Sequence, residues 1–219
     1  MTMKTTSILG ACAALLASAA PAHAAAGDVL VRARAILVAP NESSGPVLPS
    51  FPGGKVSVDD SFAPELDFTY MLTDNIGTEL ILATTKHSVS GRADLKGVGK
   101  LASTWVLPPT LTLQYHFAPN AKIRPYVGAG VNYTIFYSED ASSRLEAAIG
   151  KTDVHLKSSL GYALQAGLDF DLTDKLFANI DVKYVDIDTT ARLRTGPATN
   201  RVKVHLDPIV AGIGIGMRF

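Results

Sequence analysis

An all-β chain, closed as an eight-stranded antiparallel up-and-down transmembrane β-barrel with three short periplasmic turns and four long extracellular loops, is the fold this sequence predicts. Three observations carry the prediction. Apolar and polar residues alternate with a period of two in eight segments, the connections alternate between short and long, and aromatic residues gather at both ends of the segments.

The first segment, "DVLVRARAILVA" (Asp28–Ala39), sets Val29, Val31, Ala33, Ala35 and Leu37 on one face and Arg32 and Arg34 on the other. In the second (Ser61–Leu72), Phe62, Leu66, Phe68, Tyr70 and Leu72 alternate with Glu65, Asp67 and Thr69. Ile76–Thr84, Thr104–Phe117, Ile123–Phe136, Ser159–Phe170 and Leu176–Ile187 follow the same rhythm. The eighth, "PIVAGIGIGMRF" (Pro208–Phe219), alternates Ile209, Ala211, Ile213, Ile215, Met217 and Phe219 with glycines and Arg218. Each segment reaches the roughly 9–11 residues that cross a bilayer at a tilt. An even number of strands lets the last pair with the first, which removes the free edge that hydrocarbon would not tolerate.

Short connections are expected at Thr73–Asn75, Ala118–Lys122 and Asp171–Lys175, and long loops at Pro40–Asp60, Lys86–Ser103, Tyr137–Ser158 and Asp188–Lys203. The proline- and glycine-rich "PNESSGPVLPSFPGG" (Pro40–Gly54) is incompatible with a strand. "DFTYMLTDN" (Asp67–Asn75) and "DFDLTDK" (Asp169–Lys175) resemble each other around two short turns, which reads as shared hairpin geometry. Phe68, Tyr70, Tyr115, Phe117, Tyr126, Phe170, Phe177 and Phe219 fall beside the short turns. Phe62, Trp105, Tyr133, Phe136, Tyr137, Tyr162 and Tyr184 fall toward the long loops. Two such rings suit the two membrane interfaces, whereas a soluble barrel would place its large aromatics inside.

Composition agrees. Charged residues are only 18% and mean hydropathy is +0.20, yet nothing past residue 24 offers 18 consecutive apolar residues for a helical span. Twenty basic residues against twenty acidic ones leave no bulk charge to draw nucleic acid. Residues 1–24 read as a cleaved signal peptide: Lys4, the apolar "SILGACAALLASAA", then the small-residue site "AHA" (Ala22–Ala24). Residues 25–219 are then one barrel domain. The chain's single cysteine, Cys12, leaves with the signal, which excludes disulfides and thiol chemistry in the barrel.

"VRARAILVAPNESS" (Val31–Ser44), "PELDFTYMLTDNIGTELILATTKH" (Pro64–His87), "STWVLPPTLTLQYHF" (Ser103–Phe117) and "RPYVGAGVNYTIFYSE" (Arg124–Glu139) strongly resemble the outer membrane protein W (OmpW) family. Phe219 is similar to the carboxy-terminal signal that outer-membrane barrels present to their assembly machinery. The resemblance implies a bacterial outer-membrane location, an eight-stranded barrel that passes small hydrophobic molecules, and no catalytic residues. Outer-membrane lipid, hydrophobic solutes and the barrel assembly machinery are the implied partners, with a phage or bacteriocin as partner in the receptor alternative.

An eight-stranded barrel is just wide enough for its own side chains, so a large aqueous pore is excluded. By parity the inward charged residues are Arg32, Arg34, Glu65, Asp67, Glu79, Asp169, Asp181, Lys183 and Arg218. Pairing the first hairpin with an index sum of 99 sets Arg32 opposite Asp67 and Arg34 opposite Glu65. Such pairs serve either as structure or as an ion-selectivity filter. Met71, Ile81, Val106, Tyr126, Phe177 and Val185 form the expected apolar lumen, with Ala83 and Val210. The inward Gly128, Gly130, Gly161, Gly167, Gly212, Gly214 and Gly216 leave room for a slender apolar ligand or serve only curvature. Pro108 and Pro109 lie inside a strand of a sheet with no edge, and mark a local break, the candidate lateral opening.

Catalysis is the weaker alternative. His87, His155 and the serines of "KHSVS" (Lys86–Ser90), with Asp153 and Asp207, supply hydrolase side chains, but nothing marks a nucleophile setting. No His/Asp/Glu spacing repeats on one face, so neither a metal nor a cofactor is expected. A structural, adhesive or receptor barrel with a plugged lumen is the main rival to a channel.

Overall fold

The computed structural model describes residues 25–219; the segment read as a signal peptide, 1–24, lies outside the described residues. Eight strands form the barrel wall. They are β1 (Val29–Ala39), β2 (Ser61–Met71), β3 (Ile76–Ala83 continued by Thr85–Ala93), β4 (Lys100–Leu107 and Thr110–His116), β5 (Ile123–Ala141), β6 (Ser159–Asp171), β7 (Leu176–Val185 and Asp188–Thr195) and β8 (Ala198–His205 and Ile209–Arg218). Each pairs antiparallel with its neighbours, and β1 pairs with β8, so the sheet closes. Val29 N–H donates to Phe219 O at 3.1 Å and Phe219 N–H donates to Val29 O at 2.9 Å, sealing the first strand to the last.

The side-chain alternation becomes two environments. Leu111, Val182 and Ile213 are 53%, 46% and 66% exposed on the outer wall, while Arg32 and Glu65 are 0% and 3% exposed inside it. That inversion of a soluble protein is what a hydrocarbon surround requires. The two similar short turns are built alike. Thr73 Oγ1 accepts from Asn75 N–H and Ile76 N–H, and Thr173 Oγ1 accepts from Lys175 N–H and Leu176 N–H, at 3.3 and 3.0 Å in both turns.

On the opposite side the chain is more ordered than four loops. Strands β3 and β4 run on as a hairpin through Lys86–Ser103, and Gly54–Val58 adds a further strand to it. Asp188–Lys203 is likewise a hairpin, flanked by the short strands Thr152–Leu156 and Ser43–Ser44, the latter inside the stretch expected to hold no strand. Between β5 and β6 sits α1 (Ser143–Ile149), whose Ser142 hydroxyl accepts from Leu145 N–H at 3.1 Å as an N-cap. These extensions are covered on their inner side by an apolar cluster around Val56, Leu101, Phe136, Val202 and Val204.

Three aromatics depart from the two rings. Tyr126, Phe177 and Phe136 lie near strand ends, but parity turns them inward, where they are 1%, 0% and 8% exposed. Phe62, Phe68, Tyr70, Tyr115, Phe117, Tyr133 and Tyr162 do face outward at the two ends.

Candidate functional site

The lumen is stacked in tiers. At the periplasmic end Leu30, Met71 and Phe177 pack together, fully buried. Tyr126 lies beside them, with the His116 ring stacked on it at 5.3 Å and the Arg32 guanidinium 5.2 Å from its centroid.

The middle tier is ionic. Strand β1 pairs with β2 so that Arg32 faces Asp67 and Arg34 faces Glu65. The charges nevertheless form a network rather than two pairs. Arg32 reaches Asp67 at 3.0 Å and Asp169 at 2.9 Å, and Arg34 reaches Glu65 at 2.8 Å and Asp67 at 2.5 Å. Lys183 bridges Glu65 at 2.9 Å and Asp181 at 2.6 Å. Glu79 accepts from Gln165 Nε2 at 2.7 Å and from the Thr112 hydroxyl at 3.0 Å. In a water-poor interior such charges persist only when each has several partners, and this set supplies them. Arg218 stands apart at the periplasmic end, 3.7 Å from Asp171, a carboxylate it shares with Arg124.

Sequence reasoning missed Arg124, which is fully buried. It lies two residues before inward-facing Tyr126 on β5, so the same parity would have found it. Gln114, His116, Gln165 and Asn179 are buried lumen residues by the same rule.

Of the two readings of the inward glycines, free space and curvature, the first does not hold at Gly167 and Gly216. A Cβ on Gly167 would lie 2.4 Å from the Tyr126 ring, and one on Gly216 would lie 2.3 Å from Phe177. These positions are glycine because the aromatic ring of the directly paired residue on the adjacent strand lies over each of them. The apolar lumen set accordingly splits. Met71, Tyr126 and Phe177 belong to the bottom plug, whereas Ile81, Val106, Val185, Ala83 and Val210 lie above the charges.

There the lumen widens into a cavity of about 1260 Å³ of atom-free space, counted with its open mouth. Glu65 and Lys183 form its floor, and Ile36, Val38, Phe136, Val185, Ile187 and Leu206 contribute to its apolar wall. His87, beyond the outer aromatic ring, also faces it. Its Nδ1–H donates to Asp59 O at 2.8 Å while Nε2 accepts from the Thr85 hydroxyl at 2.9 Å, and burial pushes its pKa below the ordinary imidazole value of 6.5. A neutral histidine keeps the wall uncharged.

Two interruptions cut the wall beside the cavity. Between β3 and β4, the ladder stops at Ile81↔Thr110 and resumes at Thr85↔Val106, leaving the Pro108–Pro109 rungs open. The proline carbonyls are satisfied within the protein, since Pro108 O accepts from the Thr110 hydroxyl at 2.9 Å and Pro109 O from Tyr133 N–H at 3.0 Å. Between β2 and β3, no ladder among the described residues joins Ser61–Pro64 to Thr84–His87, and pairing returns where Asp59 N–H donates to Ser88 O. Pro64, which has no N–H, lies at this second gap.

The sequence profile described as the OmpW family matches residues 25–219. The chain belongs to the OmpW family. Outer membrane protein W of Escherichia coli (strain K12) is 42% identical over 207 residues, covering 94% of each chain. The crystal structure of the outer membrane protein OprG from Pseudomonas aeruginosa superposes with a TM-score of 0.84 at 37% identity, covering 91% of this chain and 98% of that one. A protein of Pseudomonas aeruginosa named dibenzothiophene metabolism operon protein PahQ is 34% identical over 172 residues, 77% of this chain and 76% of its own. This OmpW-family chain is therefore a bacterial outer-membrane barrel, surrounded by lipid on its outer wall.

Proposed function

We propose that this barrel passes small hydrophobic molecules into the outer membrane: they enter the cavity from the extracellular side and leave sideways through the wall. The observation that carries the reading is the placement of an apolar cavity above a lumen filled with charge and aromatic rings. A greasy solute gains by leaving water for that cavity. Continuing straight down would mean parting buried ion pairs that an apolar solute cannot replace, so the wall is the easier way out. The missing rungs at Pro108–Pro109 and along Ser61–Pro64 lie at the cavity's height and support lateral release. The operon name carried by the PahQ relative, an aromatic-sulfur metabolism, is in keeping with an apolar solute.

Filling the cavity tests this. Val185→Trp should slow uptake of an apolar dye into liposomes carrying the barrel, while the charged tier and the fold remain. Unchanged uptake in a folded Val185→Trp barrel would remove the cavity from the route.

The filled lumen also favours a second reading, a structural, adhesive or receptor barrel whose extracellular hairpins are the working part. In that case dye uptake would equal that of protein-free liposomes, and binding of a phage or bacteriocin would depend on the extracellular hairpins.

A further inference from the structure

Above the outer aromatic ring, the upper halves of β7 and β8 form a hairpin, and Thr152–Leu156 adds a third strand against β7. Leu193, Val202 and Val204 line the cavity, so the residues alternating with them face away from the barrel. On that outer face the register builds two adjacent basic rows. Arg192 is the direct cross-strand partner of Arg201, with His155 opposite Arg192 on the third strand. One row lower, Thr190 faces Lys203, and Lys157 N–H donates to Thr190 O at 3.2 Å.

Lys157, Arg192, Arg201 and Lys203 are all exposed, and none has an ion-pair partner among the described residues. The bracketing rows, by contrast, carry carboxylates: Arg194 meets Asp153 at 3.2 Å, and His205 meets Asp188 at 2.5 Å, beside Asp186 and Asp207. His155 reaches Glu139 at 3.6 Å. Strand spacing of about 4.8 Å, and about 7 Å between residues on the same face, puts the four cations within a patch of roughly 10 Å. Like charges set directly opposite each other weaken a sheet, so this arrangement calls for an anion. Two neighbouring guanidinium forks suit the paired oxygens of a phosphate or carboxylate.

Height selects the anion. Arg192 lies eight residues above Tyr184 of the outer ring along β7, and at about 3.3 Å per residue and a 40° tilt that is roughly 20 Å above the hydrocarbon boundary. Acyl chains do not reach it, but the sugar layer of the outer leaflet does. We propose that this face binds the phosphate- and carboxylate-bearing core sugars of lipopolysaccharide.

The test uses the folded barrel in neutral detergent, freed of endogenous lipopolysaccharide. It is titrated with lipopolysaccharide bearing its core, with lipid A lacking core sugars, and with inorganic phosphate. The expected result is preference for the core-bearing form and weaker binding as sodium chloride rises. A combined Lys157→Gln, Arg192→Gln, Arg201→Gln, Lys203→Gln variant should bind it at least tenfold more weakly, while Arg194→Gln changes little. Equal affinity in the combined variant, equal binding of lipid A, or saturation by phosphate alone at the same concentration would each overturn the proposal. Should the fourfold variant fail to fold, as judged by heat-modifiable gel mobility, Arg192→Gln with Arg201→Gln gives the same reading, and anything under a threefold loss counts against it.

Discussion

Arg34 shows how much one lumen residue holds. Its guanidinium contacts Glu65 and Asp67 at 2.8 and 2.5 Å and donates to Asn179 at 3.1 Å. Arg34→Met would leave two buried carboxylates short of a partner, a loss of about 3–5 kcal/mol by analogy with other broken buried pairs. Unfolding in urea, followed by gel mobility, should show it. Exchanging the charges, Arg34→Glu with Glu65→Arg, should recover part of the loss in either single reversal. Recovery stays partial because Lys183 also bonds Glu65 and would then face an arginine. Absence of any rescue would sever the pairing. At this scale parity assigns each side chain to the lumen or to lipid. It is silent on what they meet there. Gly167 and Gly216 looked like free space in one dimension, and only the rings arriving from β5 and β7 show them to be occupied. Arg124 was overlooked despite having the parity of Tyr126, because it stands next to a short turn where a solvated charge is the usual expectation.

The elements divide into those whose two faces differ chemically and those whose faces do not. The transmembrane parts of β1, β2 and β8 have lipid on one side and packed lumen on the other, so their rhythm is plain. In Thr85–Ala93 and Ala198–His205 one face is wet and the other covers the cavity with small or mixed residues. Their alternation is diluted by Gly91, Asn200 and several charges, and they read as loops. Proline placement was legible for the opposite reason, since a missing N–H in a closed sheet leaves a definite mark. Replacing Pro108 and Pro109 by valine supplies two amides and lets β4 run unbroken. Uptake of the apolar dye should then slow severalfold with gel mobility unchanged. Equal uptake would assign lateral release to the gap between Ser61–Pro64 and Thr84–His87 instead.

For the whole molecule, the outer wall is defined by its contact with lipid. Ile213 is 66% exposed at mid-strand and faces Ile180 and Ala35 across its two ladders. Ile213→Arg would set a cation against acyl chains at a cost of about 2–4 kcal/mol near the midplane. The same change at Ile209, close to the outer boundary, should cost much less. Similar losses at both positions would contradict the transmembrane orientation. Closure, strand count and the side of the short turns could all be read from repetition, because a barrel repeats one rule eight times. The cavity could not, since its walls come from residues far apart in the chain that meet only when the wall is round.

The charged tier bears on closure as well. Arg32 on the first strand meets Asp169 on the sixth, 137 positions later, and Lys183 on the seventh meets Glu65 on the second. A half-inserted sheet of the first four strands would keep Arg32 and Arg34 beside Asp67, Glu65 and Glu79 but would lack Asp169, Asp181 and Lys183, leaving three carboxylates to two arginines. The network is complete only when the sixth and seventh strands arrive, so closing the barrel and finishing its charge pairing are the same structural event.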